Sequence, residues 1–113
     1  MSCAFISSVA ITLASASMLI VEAMIDPSVE DEWNQWYDDV HLPEIVACPG
    51  FRSGQRYVSD GEQGRTYVAV YELDGSDALK SSEFASRRGW GPFGNQVKFK
   101  TRLYTRRTQL LGE

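Results

Sequence analysis

Residues 18–25 read MLIVEAMI, a run in which only Glu22 carries a charge. An almost wholly apolar run with β-branched residues is typical of a central strand that is buried on both faces. An Asp-Pro-Ser turn at residues 26–28 ends the run. The acidic residues 30–32 that follow suit the first turn of a helix, where the dipole favours negative charge. The core is therefore predicted to open with a strand followed by a helix.

Larger side chains then recur at helical spacing, so they share one face of this helix: Trp33, Trp36, Tyr37, Val40 and His41. The residues between them are polar and suit water. Pro43 follows two residues after His41, and because proline restricts the residue before it, Leu42, we expect the helix to end there. A short second turn over residues 43–47 then leads to the next strand.

The remaining segments complete a simple order of elements. Turn-bounded, β-forming runs predict three more strands, and two short helices separate the last two of them: strands at 51–59, 66–73 and 97–107, with helices near 77–81 and 83–88. The order β-α-β-β-α-β predicts an α+β, ferredoxin-like fold, in which a four-stranded antiparallel sheet carries its helices on one face. The other face is too apolar to stay wet. A second copy packed sheet to sheet covers it most simply, which predicts a homodimer.

Length and charge limit the classes of partner. The chain has 113 residues, about one domain, and a formal net charge of -4. An acidic chain repels phosphate backbones, so no nucleic-acid partner is expected. The basic residues after residue 97 alternate with uncharged ones, as on the solvated face of a strand.

Residues 1–17, MSCAFISSVAITLASAS, resemble a secretory signal in their apolar stretch and small residues. They lack the basic start that such a signal needs, and they are too short and polar to span a membrane. We expect them to form an extension outside a core domain at 18–113. Cys3 and Cys48 give no disulfide framework, and Cys48 is expected to pack in the core. Cytoplasmic localisation is the simplest interpretation, with secretion left open and no membrane partner expected.

His41 is the one chemically versatile group in the sequence. It is the only histidine, so no histidine cluster can hold a metal, and we expect no metal site. It follows Tyr37 by one turn on the buried face, at the predicted C-terminal end of the helix, where the dipole stabilises an imidazolium. An imidazole between an apolar pocket and a helix end can titrate near neutrality, as a general base must. A purely structural histidine remains the alternative.

Four tyrosines are candidate hydrogen-bond donors to a ligand: Tyr37, Tyr57, Tyr67 and Tyr71. Tyr67 and Tyr71 share one face of the third strand because their separation is even. Packing in the core with hydroxyls at its rim is the alternative for each of them.

The segment GWGPFG at residues 89–94 is expected to be a loop. Trp90 and Phe93 within it suit a lid over an apolar ligand, although Trp90 could equally plug one end of the core. Glu22, the lone charge in its strand, is expected to pair with Arg56 or Arg102.

Residues 33–57, WNQWYDDVHLPEIVACPGFRSGQRY, resemble the signature of a group within the dimeric α/β-barrel superfamily. In that signature a helix carries W-Y-x-x-x-H followed by P-E, and P-G-F then leads into an arginine-containing strand that ends in an aromatic residue. YELDG at residues 71–75 and the GWGPF loop also resemble the group. The resemblance extends from about residue 18 to residue 107.

The resemblance implies a homodimer with one pocket per subunit between the sheet and the helices. Relatives include polyketide cyclases, cofactor-independent monooxygenases of polycyclic phenols, muconolactone-type isomerases, aldoxime dehydratases and haem-degrading enzymes. In several of them a histidine and a tyrosine move protons on an aromatic or enolisable substrate. By motif position the histidine is His41, and Tyr37 is its pocket neighbour.

Our leading hypothesis is an enzyme without cofactor that isomerises, cyclises or cleaves a small apolar aromatic or enolisable molecule by proton transfer. His41 is the predicted general base, and Tyr71 is the predicted donor that steadies the enolate or phenolate oxygen. Substrate contact is predicted for the other aromatic residues: Trp33, Tyr37, Tyr57, Tyr67, Trp90 and Phe93. Three alternatives stay open: a cofactor-free monooxygenase of phenols, a small-molecule-binding module without turnover, and a haem protein with His41 as axial ligand.

Overall fold

The computed structural model describes residues 16–112. Within this range, four strands form one antiparallel sheet in the order β2-β3-β1-β4, with these bounds: β1 Ser17–Ile25, β2 Phe51–Gly61, β3 Gly64–Leu73 and β4 Val97–Thr105. Helices cover one face, so the predicted ferredoxin-like α+β fold is confirmed. Residues 1–15, most of the predicted extension, lie outside the described residues.

One continuous helical segment joins β1 to β2. After a 3₁₀ turn at Pro27–Val29 it consists of α1, Glu30–Trp36, a π-helical turn, Tyr37–His41, and α2, Leu42–Val46. The prediction that Pro43 ends the helix is wrong. Pro43 lies in the first turn of α2, where the missing N–H breaks no hydrogen bond of that helix.

The connection from β3 to β4, residues 74–96, is irregular. It contains a 3₁₀ turn at Ser76–Lys80, the helix α3 at Ser82–Arg87 and a second 3₁₀ turn at Gly91–Phe93. The hydroxyl of Ser81 accepts a hydrogen bond from the Phe84 backbone N–H and so caps α3. Within residues 16–112 no helix is long and apolar enough to cross a membrane.

Alternate residues of the sheet face the helices and form the core. In β3 these are Tyr67, Ala69, Tyr71 and Leu73, all buried. Cys48, after α2, is also buried, as predicted, and its thiol is free. Because the period of a strand is two, the pattern of β3 alone fixes which of its residues meet the helices.

The other sheet face carries no covering element among residues 16–112. Ile20, Val68 and Val70 form its apolar centre, whereas Met18 and Met24 at its ends are each 37% exposed. The prediction that the first strand is buried on both faces is therefore wrong for the single chain.

Glu22 also lies on this open face. Its carboxylate is 3.5 Å from the Nζ atom of Lys100, its cross-strand neighbour. The predicted partners are wrong: Arg56 points to the helical side, and Arg102 lies opposite Ile20 one pair further along β4. Register decides the pairing here, because Lys100 stands directly across the strand pair.

A β-bulge in β2 resets the alternation of that strand. Phe51 is opposite Leu73 and faces the helices, but the register shifts between Phe51 and Ser53. Beyond the shift, Arg56 faces the helices and Tyr57 faces the open side, where it is 58% exposed. Because the bulge inserts one extra residue, each later residue of β2 points to the opposite side of the sheet from the side that simple alternation predicts.

Gly54 permits close contact between α2 and the sheet. A methyl group at Gly54 would lie 2.8 Å from Val46 Cγ2 and 2.9 Å from Tyr71 Cδ1. We expect Gly54→Ala to lower the free energy of unfolding by about 1–3 kcal/mol, as overpacking of a core does. Urea denaturation measures this change.

Gly75→Ala is the matched control. Gly75 has φ 176° and no atom within 4 Å of an added Cβ. Its substitution should leave the stability within about 0.5 kcal/mol. Equal stabilities for the two variants would show that the Gly54 contact is not tight.

Candidate functional site

A cavity of about 450 Å³ lies between the sheet and the helices. The sheet contributes Leu19, Val21, Tyr71, Phe99 and Thr101 to its wall. The helices and the loop after α3 contribute Tyr37, His41, Ile45, Leu79, Phe84 and the run Arg88-Gly89-Trp90. The volume and the mostly apolar wall are those of a small-molecule site.

The π turn aligns Tyr37 and His41 on the cavity side. Four residues of an α-helix overshoot a full turn by roughly 40°, so a row at i, i+4 and i+8 drifts around the helix. Here the Leu42 N–H donates to the Tyr37 carbonyl, five residues back. A turn closed by such a hydrogen bond holds more residues than an α-helical turn, so it reverses the drift of the row around the helix. Trp33, Tyr37 and His41 are consequently all buried.

His41 is 7% exposed and packed among rings. Its imidazole stacks on Trp36 with centroids 4.6 Å apart, and the ring of Tyr37 meets it edge-on at 4.8 Å. No hydrogen bond from residues 16–112 reaches the imidazole nitrogens. The ring is therefore held by packing, and its nitrogens remain available to a ligand.

Burial and the Arg56 guanidinium lower the pKa of His41 from 6.5 to about 4. The expectation that it titrates near neutrality is therefore wrong. The helix continues through α2 to Val46, so His41 is not at a helix end and lacks the expected help from the dipole. At neutral pH the imidazole is uncharged and can accept a proton.

Tyr37 and Tyr71 join the helical layer to the sheet. Their hydroxyl oxygens are 2.9 Å apart and both residues are buried. Burial raises the pKa of Tyr37 and of Tyr71, so both stay protonated. One hydroxyl donates to the other, which leaves one O–H of the pair for a ligand oxygen.

The Arg56 guanidinium lies behind this pair. Its carbon is 4.1 Å from the centre of the Tyr37 ring and 4.9 Å from that of Trp33. It donates hydrogen bonds to Asp38 Oδ1 at 2.7 Å and to Asn34 Oδ1 at 2.9 Å. The guanidinium thus places a fixed positive charge behind the cavity wall.

Only part of the predicted substrate-contact set lines the cavity. Tyr37 and Trp90 do, and so do the predicted catalytic residues His41 and Tyr71. The others lie elsewhere: Trp33, Tyr67 and Phe93 are buried in the core, and Tyr57 is on the open sheet face.

Tyr67 has polar partners of its own, away from the cavity. Its hydroxyl donates to Glu30 and accepts a hydrogen bond from Asn34 Nδ2. Phe93 packs against Trp36, with ring centroids 5.5 Å apart. Trp90 lies at the cavity wall, and its ring also contacts that of Phe99 at 5.1 Å.

Sequence reasoning missed several wall residues: Leu79, Phe84, Arg88, Phe99 and Thr101. The alternation of β4 could have indicated Phe99 and Thr101. The other three belong to the irregular connection, for which no periodicity exists. Within residues 16–112, no three His, Cys, Asp or Glu side chains gather as a metal site would require.

Comparison with known proteins identifies relatives of this fold. The profile of a family described as a domain of unknown function, DUF4286, matches residues 16–110. No curated protein matches the sequence significantly.

Solved structures share the fold over most of the chain. One is a mutant of SnoaB, a cofactor-independent oxygenase from Streptomyces nogalater, with a TM-score of 0.66, 16% identity and coverage of 86% of this chain and 98% of that one. The monooxygenase from the gene ActVA-Orf6 of Streptomyces coelicolor, in complex with nanaomycin D, has a TM-score of 0.60, 16% identity and coverage of 88% and 95%. An antibiotic biosynthesis monooxygenase has a TM-score of 0.62, 16% identity and coverage of 81% and 99%. Identities this low establish the shared fold alone.

The lowered pKa of His41 has a consequence for stability. The folded chain holds the imidazole neutral down to about pH 4, whereas an unfolded imidazole takes a proton near pH 6.5. The unfolded state therefore binds more protons in this window, so stability falls as the pH falls from 6.5 towards 4. We expect the wild type to lose stability more steeply than His41→Gln, as measured by urea denaturation across this range. Parallel pH curves for the two proteins would contradict the lowered pKa.

Proposed function

The chain belongs to the DUF4286 family, and from this premise and the cavity we propose that it is an enzyme which removes a proton from an enolisable or phenolic apolar molecule. His41 is the proposed general base. The observation that carries the proposal is the neutral imidazole in the wall of a largely apolar cavity of about 450 Å³, with no hydrogen bond from residues 16–112 to its nitrogens.

A pKa of about 4 is compatible with His41 as a general base, because the anion formed by proton transfer raises that pKa. In the empty cavity the ring stays neutral and available. Proton transfer from a bound molecule creates an enolate or phenolate beside the imidazolium. Opposite charges about 4 Å apart attract by about 4 kcal/mol at an effective dielectric constant of 20. That energy corresponds to roughly three pKa units, enough to bring the His41 pKa close to neutrality once the anion exists.

The tyrosine pair is the proposed partner of the developing anion. Tyr37 and Tyr71 together offer one O–H, which can donate to the enolate or phenolate oxygen. Because both phenols stay protonated, they serve as donors and not as bases. Tyr71 keeps its predicted catalytic role in this proposal, with Tyr37 beside it.

The enolate or phenolate can react without O₂ or with it. Without O₂ it can take the proton back at another atom, as in an isomerase, add to a carbonyl of the same molecule whose oxygen then takes the proton, as in a cyclase, or expel a β-substituent that takes the proton, as in a lyase. It can instead react with O₂, which makes the enzyme a cofactor-free monooxygenase. The structural relatives described as a cofactor-independent oxygenase and as monooxygenases favour the reaction with O₂.

Anthrone is a probe for both kinds of reaction, because it enolises to a phenol and is oxidised by O₂ to anthraquinone and water. We expect anaerobic hydrogen–deuterium exchange at its methylene carbon, and anthraquinone with matching oxygen uptake in air. His41→Ala should lower the catalysed rate by about 10²–10⁴-fold. Tyr71→Phe should lower it about 10²-fold or more, as loss of an oxyanion donor does.

Tyr104→Phe, at an exposed tyrosine of β4, serves as control and should keep the wild-type rate. Exchange without oxygen uptake assigns the isomerase class, and both together assign the monooxygenase. Binding of anthrone without either reaction in the wild type would reduce the protein to a binding module. Full activity in a folded His41→Ala variant would remove His41 from the mechanism.

We further propose a homodimer formed by the open sheet faces. Ile20, Val68 and Val70 would lie at its centre, and the basic residues of β4 at its rim, where interfaces are polar. A cytoplasmic location remains part of the proposal.

A charge at the centre of the open face tests the dimer. Val70→Asp should convert a particle of twice 12.7 kDa into one of 12.7 kDa in sedimentation equilibrium. Val58→Asp is the matched control, because Val58 is 57% exposed on the helical side of the sheet. It should stay dimeric. A monomeric wild type, or loss of the dimer in both variants, would contradict this interface.

A further inference from the structure

The cavity has two chemically different ends. Its buried end carries His41, Tyr37 and Tyr71, which are at most 7% exposed. Its open end carries Arg88, an exposed residue and, in the described part of the chain, the only permanent cation in the wall. Among residues 16–112, no aspartate or glutamate lines the cavity, although the chain as a whole carries a net charge of -4.

Arg88 has no competing partner within residues 16–112. No carboxylate or other acceptor in that range binds its guanidinium, whereas Arg52, Arg56 and Arg65 each have an acidic partner. Its backbone N–H donates to the Phe84 carbonyl at the end of α3, which fixes where the side chain starts. The side chain of Arg88 thus starts from a fixed backbone position in the cavity wall, and its guanidinium is free to bind an anion from outside.

The loop after Arg88 positions Trp90, which also lines the cavity. Gly89 has φ 110° and Gly91 has φ 54°, values that favour glycine on both sides of Trp90. A Cβ at Gly91 would lie 3.0 Å from the Trp36 ring. These glycines let Trp90 line the same cavity as Arg88. The wall thus contains both an aromatic ring and a guanidinium.

From this arrangement we propose that the ligand is an apolar ring system with an ionised acidic group, such as a carboxylate. The rings fill the apolar cavity, Arg88 binds the carboxylate at the mouth, and the reactive oxygen meets the tyrosine pair at the buried end. This inference rests on the proposed function, because it assumes that the cavity holds a small molecule. It makes Arg88 a specificity-determining residue that does not touch the reacting atoms.

The positive potential of the wall supports the same ligand class. Within residues 16–112, Arg88 at the open end has no acidic partner, whereas Arg56 behind the buried end is paired with Asp38 at 2.7 Å. An anion at the open end therefore gains mainly from the charge of Arg88. The guanidinium of Arg88 can also donate two parallel hydrogen bonds to the two oxygens of a carboxylate, whereas a neutral amide offers only one oxygen.

Two isosteric probes separate charge from shape: 2-naphthoate and 2-naphthamide. Their dissociation constants can be measured at low salt by quenching of tryptophan fluorescence, because Trp90 lines the site. We expect the wild type to bind the carboxylate about 3- to 10-fold more tightly than the amide, the range of an exposed ion pair with good geometry. Arg88→Gln should bind the two compounds equally.

Arg87→Gln is the matched control. Arg87 is adjacent, but it lies outside the cavity wall, and its Nη1 atom is 3.3 Å from the Glu44 carbonyl. It removes the same charge and should keep the preference for the carboxylate. The preference should also shrink as the salt concentration rises.

Equal binding of both probes by the wild type would overturn the assignment of Arg88, as would equal loss of preference in both variants. In either case, binding of the amide would leave the proposed function standing. Failure of both probes to bind would overturn the small-molecule cavity and, with it, both proposals.

Discussion

Tyr37 is the residue at which the helical segment, the sheet and the cavity meet. Its hydroxyl is 2.9 Å from that of Tyr71 on β3, so a hydrogen bond crosses between the two layers inside the core. The Arg56 guanidinium covers its ring, and the edge of the ring contacts His41. A change at Tyr37 therefore alters the donor pair, the nearby charge and the packing of the base together. The cavity keeps its polar end only while this residue is held in place.

The electrostatics of the site favour charge separation on a bound molecule. Burial beside Arg56 disfavours an imidazolium in the empty cavity, which keeps His41 neutral. The same positive potential, extended by Arg88, favours an anionic ligand or intermediate. Proton transfer places the new anion in the positive potential that lowers the pKa of His41. The anion and the imidazolium then stabilise each other. The strength of the base thus depends on what the cavity holds.

The regular elements could be predicted from the sequence, whereas the site could be predicted only in part. The alternation of residues in β3 and the apolar run of β1 predict the strands of the sheet, since the period of the apolar residues indicates which positions are buried. Three local features carry no such signal. The bulge after Phe51 turns Arg56 inward and Tyr57 outward; the π turn keeps His41 in line with Tyr37; and the irregular segment after β3 supplies Arg88. Counting in twos from Phe51 places Tyr57 inside, and one extra residue reverses that result.

The most direct test of the account observes the proton itself. His41 is the only histidine, so ¹⁵N-histidine labelling gives one imidazole to follow by NMR. With the protein saturated by 4-nitrophenol at about pH 5.5, where free nitrophenol is colourless and the imidazole of the empty cavity is neutral, we predict imidazolium ¹⁵N shifts together with the yellow absorbance of bound nitrophenolate. A neutral imidazole beside a colourless bound phenol would contradict the account. It would show that His41 does not accept a proton from a molecule in the cavity.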